Sequence, residues 1–298
     1  FLGSYPITPA SDILHELAKH KNLSVKTFQA EDEIAGICSA IGASFTGSLA
    51  ITTTSGPGLA LKGEGLGLAI MTELPLVVVN VQRGGPSTGL PTKTEQSDLM
   101  QALYGRNGES PAVVLASSTP GNCFDWAYMA SKITLEHNTP VVLLSDGYLG
   151  NGAEPWKIKS TKDMPEIHPN IAVEGEEYQP YARDEKTLAR KLALPGTKGL
   201  EHRLGGLEKE DITGNVSYDA DNHEKMVDIR SEKIKRIASL IPQQEVFGKK
   251  EGDLLVVGWG GTYGSLYCAV ESLLNKGGNI ALCQFNYINP LPKNTTEI

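Results

Sequence analysis

Four short stretches hold the side chains best suited to chemistry. QAEDEIAG places Glu31, Asp32 and Glu33 at the head of a helical pattern. Carboxylates in a first helical turn complement the positive end of the helix dipole, which suffices for Asp32 and Glu33. NVQRGGPSTGLPTKTEQSDL puts Arg83 at the end of an apolar run, ahead of a loop rich in Gly and Pro. A charge buried there without a partner is costly. The guanidinium therefore either closes an internal salt bridge, to Glu31 or Asp98, or grips a ligand carboxylate through two parallel hydrogen bonds. In GSYPITPASDILHEL, Pro9 suits the first position of a helix and Thr8 its N-cap, with Ile13, Leu14, Leu17 and Ala18 recurring behind them. Finally, TTTSGPGLALKGEGLGLA joins a strand to a helix through Ser55, Gly56, Pro57 and Gly58. Such a turn can cradle an anion or ligand, but this one has neither the Lys-Ser/Thr ending of a P-loop nor G-x-G-x-x-G order.

These residues sit on a regular frame. LAITTT (49–54), PLVVVNV (75–81), AVVLAS (112–117) and PVVLLS (140–145) are β-rich runs without polar alternation, as in strands covered on both faces. Helical patterns lie between them, over about 31–45, 57–71, 94–104 and 122–137. Repeated βα units predict an open parallel sheet with helices on both faces, whose ligands sit beyond the carboxyl ends of the strands. The helix after Glu31 is rich in small residues (Ala35, Gly36, Ser39, Ala40, Gly42, Ala43, Ser44), a face that another backbone or a flat ligand can approach closely. Residues 157–222 are charged, Pro- and Gly-rich and aperiodic, which predicts a long connection wrapped over a partner or the first domain. An amphipathic helix follows over 223–240. A second α/β unit begins near Asp253 with DLLVVGWG, a helix over 264–276 and NIALCQF. Its VVGWGGTYGS lacks dinucleotide-fingerprint spacing and reads as a plain strand–turn–helix.

The composition narrows the function classes. The 298 residues carry 27 Lys plus Arg against 35 Asp plus Glu, a net charge of −8, without the dense basic run that nucleic-acid binders show. No apolar stretch approaches the length needed to span a bilayer. Cys38, Cys123, Cys268 and Cys283 are scattered, without a Cys-x-x-Cys pair, and the six histidines are dispersed. No metal or cluster held by this chain is expected, and most of the cysteines read as reduced packing residues of a cytoplasmic protein. The chain starts Phe-Leu-Gly, without Met, and reads as a piece of a longer polypeptide.

YPITP, AEDEIAG, TTSGPG, QRGGPSTGLPTKTEQSDL, TPGNCFDWAYMA and DGYLGN together resemble the α subunit of 2-oxoacid:ferredoxin oxidoreductases, most closely those acting on 2-oxoglutarate. The likeness extends to GLEHRLGGLEKEDITGN and INPLP, and so covers essentially the whole chain. It implies a thiamine-diphosphate pyrimidine-binding domain over 1–153, an extended connection over 154–250, and a truncated transketolase C-terminal-like domain over 251–298. Glu31 then takes the place of the activating glutamate, hydrogen-bonded to N1′ of the cofactor's aminopyrimidine, where shielding from water is required; Asp32 and Glu33 are the alternatives for the register. Thr8 and Arg83 match the pair that holds the substrate carboxylate; Thr54, Ser55, Gly56 and Gly58 line the cofactor pocket. Thiamine enzymes hold the diphosphate through Mg²⁺ with a Gly-Asp-Gly motif followed by Asn, and SDGYLGN has the wrong spacing for it. The resemblance therefore implies a partner β subunit carrying Mg²⁺, the diphosphate site and a [4Fe-4S] cluster. It further implies a γ-type domain or subunit, with ferredoxin and CoA served by the complex. A second carboxylate on 2-oxoglutarate requires another cation or hydroxyl, for which Lys93, Arg106 and His137 are candidates.

Overall fold

The computed structural model describes residues 1–298. In chain order the elements are β1 (Leu2–Ser4), α1 (Ser11–Leu17), β2 (Thr27–Gln29), α2 (Glu33–Phe45), β3 (Ile51–Thr54), α3 (Gly56–Leu61), α4 (Gly63–Met71), β4 (Leu76–Gln82), α5 (Leu99–Tyr104), β5 (Val113–Ala116), α6 (Cys123–His137), β6 (Pro140–Asp146) and α7 (Gly147–Asn151). After a long irregular segment come α8 (Ala220–Ile237), β7 (Phe247–Gly248), β8 (Leu254–Trp259), α9 (Tyr263–Asn275), β9 (Ile280–Phe285) and β10 (Tyr287–Asn289). The large sheet runs β10-β5-β6-β4-β3-β1-β2, parallel throughout except for β10, which pairs antiparallel with β5. A smaller sheet, β7-β9-β8, carries α9.

The four apolar runs are β3 to β6, and their side chains alternate between two cores. Leu76, Val78, Val114, Val142 and Leu144 face Ile37, Ala40 and Ile41 of α2 with Leu66, Ala69 and Ile70 of α4. Val77, Val113, Leu115, Val141 and Leu143 face Ala130 and Ile133 of α6 with Ile234 and Ile237 of α8. Both faces are thus dry, which is why these strands show no polar alternation. Several features differ from expectation: the helix expected over about 94–104 begins only at Leu99, and β10, from the segment expected in the second α/β unit, joins the large sheet. β1 and β2 are three-residue strands, too short to register as hydrophobic runs. The helix expected over 57–71 bends at Lys62 into α3 and α4.

The segment between α7 and α8 has no strand of its own and wraps over the first domain. Arg190, fully buried, donates from Nη2 to the Thr72 carbonyl at 2.8 Å. Arg183 Nη2 pairs with Glu73 Oε1 at 2.6 Å, and Lys233 of α8 pairs with Glu73 Oε2 at 2.6 Å. Burial pushes the Glu73 carboxyl up, but the Lys233 and Arg183 charges outweigh it and hold it well below the usual carboxylate range. The connection, through Arg183, and α8, through Lys233, are therefore both clasped to Glu73 in the α4–β4 turn. Of the cysteines, all unpaired, Cys283 is buried and Cys123 half-buried, whereas Cys38 and Cys268 are exposed and do not pack a core.

Candidate functional site

Because β1, β3, β4 and β6 run parallel, the segments leaving their carboxyl ends meet at one edge of the sheet. Thr8 follows β1, Ser55 to Gly58 follow β3, Arg83 follows β4, and Asp146 ends β6. The acidic head of α2, reached through β2, lies against the same edge.

Thr8 is exposed and lies in the turn before α1. It is not the cap: the N-cap position is Ala10, without a side-chain hydrogen bond, and Pro9 lies outside the helix. The turn closes instead through the Ile7 carbonyl, which accepts from the backbone N–H of Ala10 and Ser11 and from Ser11 Oγ. The Thr8 hydroxyl is thus left without an intramolecular role.

The carboxylates at α2 separate sharply. Glu31 is exposed and precedes the helix, contrary to the shielding expected of it. Asp32 is the N-cap, accepting from Ala35 N at 2.7 Å. Glu33 is the acid the fold buries, with 8% of its surface exposed. A Cβ placed on Gly58 would overlap Thr54 Oγ1 and lie 2.7 Å from Glu33 Cγ and 3.0 Å from Glu33 Oε1. The carboxylate therefore rests on the glycine turn, where only a residue without a side chain leaves room for it. No hydrogen bond within the chain engages it. Glu33 was one of three alternatives in the sequence, and its spacing marks it: it lies four residues before Ile37 on the buried stripe Glu33, Ile37, Ala40/Ile41, Ser44.

The glycine turn holds further unsatisfied polarity. Thr54 and Ser55 are fully buried, and Ser55 Oγ has no hydrogen-bond partner. A Cβ on Gly56 would lie 2.7 Å from Asp98 Oδ1, so that acid closes the other side of the turn. Asp98 accepts from Asn80 Nδ2 at 2.9 Å. Burial raises its carboxyl above the ordinary value, with the Asn80 hydrogen bond opposing.

Arg83 is 6% exposed, and the internal salt bridge considered for it does not form. Neither Glu31 nor Asp98 pairs with it, no protein acceptor engages its guanidinium, and Nε is buried without a partner. Buried polar groups are almost always satisfied, so an unengaged guanidinium at a strand's carboxyl end is a candidate anion site. Of the three cations considered for a second carboxylate, Arg106 is consumed, donating to the carbonyls of Ala102, Leu103 and Ser110. His137 is buried at the end of α6, before β6 and so at the opposite edge of the sheet, where burial lowers its pKa to about 4. Lys93 remains: its carbonyl accepts from Gly84 N at 2.8 Å, which holds its loop beside Arg83. Asp146 caps α7, with Oδ1 accepting from Tyr148 N and Leu149 N, so the SDGYLGN acid is engaged as a helix cap.

A narrow glycine cradle, an unengaged buried carboxylate and an orphan hydroxyl fit the flat, hydrogen-bonding pyrimidine half of thiamine diphosphate. Comparisons with known proteins agree. The family described as pyruvate flavodoxin/ferredoxin oxidoreductase, thiamine diphosphate-binding, matches residues 1–221. The 2-oxoglutarate oxidoreductase subunit KorA of Mycobacterium tuberculosis is 56% identical over all of this chain, which spans 45% of that protein. The 2-oxoglutarate synthase subunit KorA of Archaeoglobus fulgidus is 34% identical, again over the whole chain and over 78% of its own length. The 2-oxoglutarate:ferredoxin oxidoreductase of Magnetococcus marinus, solved with 2-oxoglutarate, coenzyme A and succinyl-CoA bound, superposes with a TM-score of 0.91 at 36% identity, over 99% of this chain and 51% of the other. The chain thus spans about half the length of two of these relatives, and it belongs to the thiamine diphosphate-binding family of pyruvate flavodoxin/ferredoxin oxidoreductases.

Proposed function

We propose that this chain supplies the pyrimidine-binding half of the active site of a 2-oxoglutarate:ferredoxin oxidoreductase. The complete enzyme converts 2-oxoglutarate and CoA to succinyl-CoA and CO₂, passing two electrons one at a time to ferredoxin. The observation that carries this reading is Arg83, a buried guanidinium with no internal partner at the same sheet edge as the buried Glu33.

When bound, thiamine diphosphate supplies the carbon nucleophile and electron sink for decarboxylating a 2-oxoacid. This chain's residues do the rest. Glu33, on the glycine turn, shares a proton with ring nitrogen N1′, the role the resemblance had given Glu31. Partial burial keeps water from competing for that proton. Gly56 and Gly58 admit the ring edge, and Thr54 and Ser55 line the pocket. Arg83 grips the C1 carboxylate, and the Thr8 hydroxyl donates to it from across the edge. Lys93 is our choice for the second carboxylate.

The reading assigns Mg²⁺, the diphosphate site and the [4Fe-4S] cluster to a β subunit, and places a γ-type domain or subunit in the same complex. It is supported by Asp146, the acid of the near-match SDGYLGN, whose Oδ1 is engaged in capping α7. It is supported too by Tyr5, Ile34 and Leu90, apolar side chains exposed around the edge where a partner would close the site. The test is to assemble the native chain with its partner subunits and measure viologen reduction with 2-oxoglutarate, pyruvate and branched 2-oxoacids. Reduction with 2-oxoglutarate that needs both thiamine diphosphate and CoA is expected. Preference for pyruvate would overturn the substrate assignment; inactivity with every 2-oxoacid would leave a scaffold.

A further inference from the structure

One fully buried cation lies beneath this site and has no part in the roles assigned above. Lys62 is 0% exposed at the bend between α3 and α4. Its Nζ donates to the backbone carbonyl of Glu33 at 2.9 Å, leaving two of its three donors without a protein acceptor. A Cβ on Gly36 would lie 3.3 Å from Ser4 Cα and 3.4 Å from Lys62 Nζ, so the amine fills the narrow gap where α2 crosses the end of β1. On the β1–β3 side of that gap Ser4 is engaged with Thr53, and both are uncharged. The charged and titratable groups near the amine are Glu33 and Asp32 at the head of α2 and Cys38 one turn on; burial pulls the ammonium down to about 8 against the pull of those acids.

An amine here is a costly way to fill a gap. An apolar side chain of similar length would hold the bend without desolvating a charge, and such replacements are often neutral or stabilising. The amine's one bond goes to the main chain of the residue whose carboxylate lies on the glycine turn. We propose that Lys62 is a positioning residue for Glu33: by tethering the first-turn carbonyl of α2 to the α3–α4 bend, it fixes the distance and aim of the Glu33 carboxylate toward the pyrimidine. The inference rests on the assignment of Glu33 made above.

The test uses the complete assembly of native chain and partner subunits with Lys62→Met, Lys62→Gln and Glu33→Gln. Two readouts are taken: exchange of the thiamine C2 proton for deuterium at saturating thiamine diphosphate without substrate, and amide hydrogen exchange over 33–36 without cofactor. Displacing a catalytic group by about 1 Å costs on the order of 10²-fold, so C2 exchange in Lys62→Met is expected to slow by about that factor. Amide exchange at the head of α2 should rise in parallel. Lys62→Gln, which keeps a donor at shorter reach, should fall between, and it carries the comparison if the Met variant does not assemble. A structural role alone would lower the melting temperature yet leave C2 exchange per assembled complex at the unmodified rate; that result overturns the inference. Unchanged C2 exchange in Glu33→Gln would instead overturn the assignment of Glu33 on which it rests.

Discussion

Glu33 and Gly58 crowd one space: a Cβ placed on Gly58 would lie 2.7 Å from Glu33 Cγ and 3.0 Å from Glu33 Oε1, and would overlap Thr54 Oγ1. This relationship joins two distant signals, the acidic head of α2 and the glycine turn after β3, into one site.

Gly58→Ala should therefore act on the acid. The methyl group meets Thr54 Oγ1 and Glu33 together, and overpacking of this kind costs about 1–3 kcal/mol. The expected outcome is a lower melting temperature and at least ~10-fold weaker thiamine diphosphate binding, read by cofactor titration of the assembled complex.

Arg83→Met should separate stability from function. Removing a buried guanidinium that has no internal partner relieves a desolvation cost, so the melting temperature should hold or rise. Turnover should fall, and Arg83→Lys should restore little of it, because a point charge does not reproduce the two-pronged grip. For each, kcat/KM for the 2-oxoacid should drop about 10²-fold or more with cofactor affinity unchanged.

The clasp at Glu73 should behave in the opposite way. Glu73→Gln leaves Lys233 buried without its counter-charge and Arg183 with only the more distant Asp211, a loss of about 3–5 kcal/mol. Denaturant unfolding should show it, and limited proteolysis should open first between α7 and α8.

His137 gives the fold a pH dependence of known sign. Its folded pKa is lowered to about 4 by burial with Lys233 alongside. Below the ordinary value of about 6.5, the unfolded chain takes up a proton that the folded chain refuses. This contribution is whole above about pH 6.5 and is lost as pH falls toward 4, by about 3 kcal/mol. His137→Gln should flatten the pH–stability curve in that window, and urea midpoints across it measure the effect.

Much of this is legible in the sequence. β3 to β6 announced themselves because strands dry on both faces must be apolar throughout, and Arg83 stood out because a charge has no place at the end of such a run. β1 and β2 did not, since three residues with Gly3, Ser4 and Thr27 among them carry no periodic signal. Lys62 sits in a helical pattern that gives no sign of the bend burying it. Glu31 and Glu33 were separable only by where the helix begins: Asp32 as N-cap makes Glu33 the first helical residue and turns it inward with Ile37. Thr8, placed before Pro9, has the sequence of a cap, but the chain turns once more before α1, and Ser11 closes that turn.

The central claim is that Glu33 is the acid at the cofactor, with Glu31 a solvated neighbour. Steady-state viologen reduction by the assembled complex, comparing Glu33→Gln with Glu31→Gln, tests it most directly. Losing a positioned acid–base group costs on the order of 10²–10⁴-fold, so kcat for Glu33→Gln should fall by at least ~10², while Glu31→Gln stays within about threefold of the unmodified enzyme. Loss of turnover in Glu31→Gln with Glu33→Gln still active would contradict it.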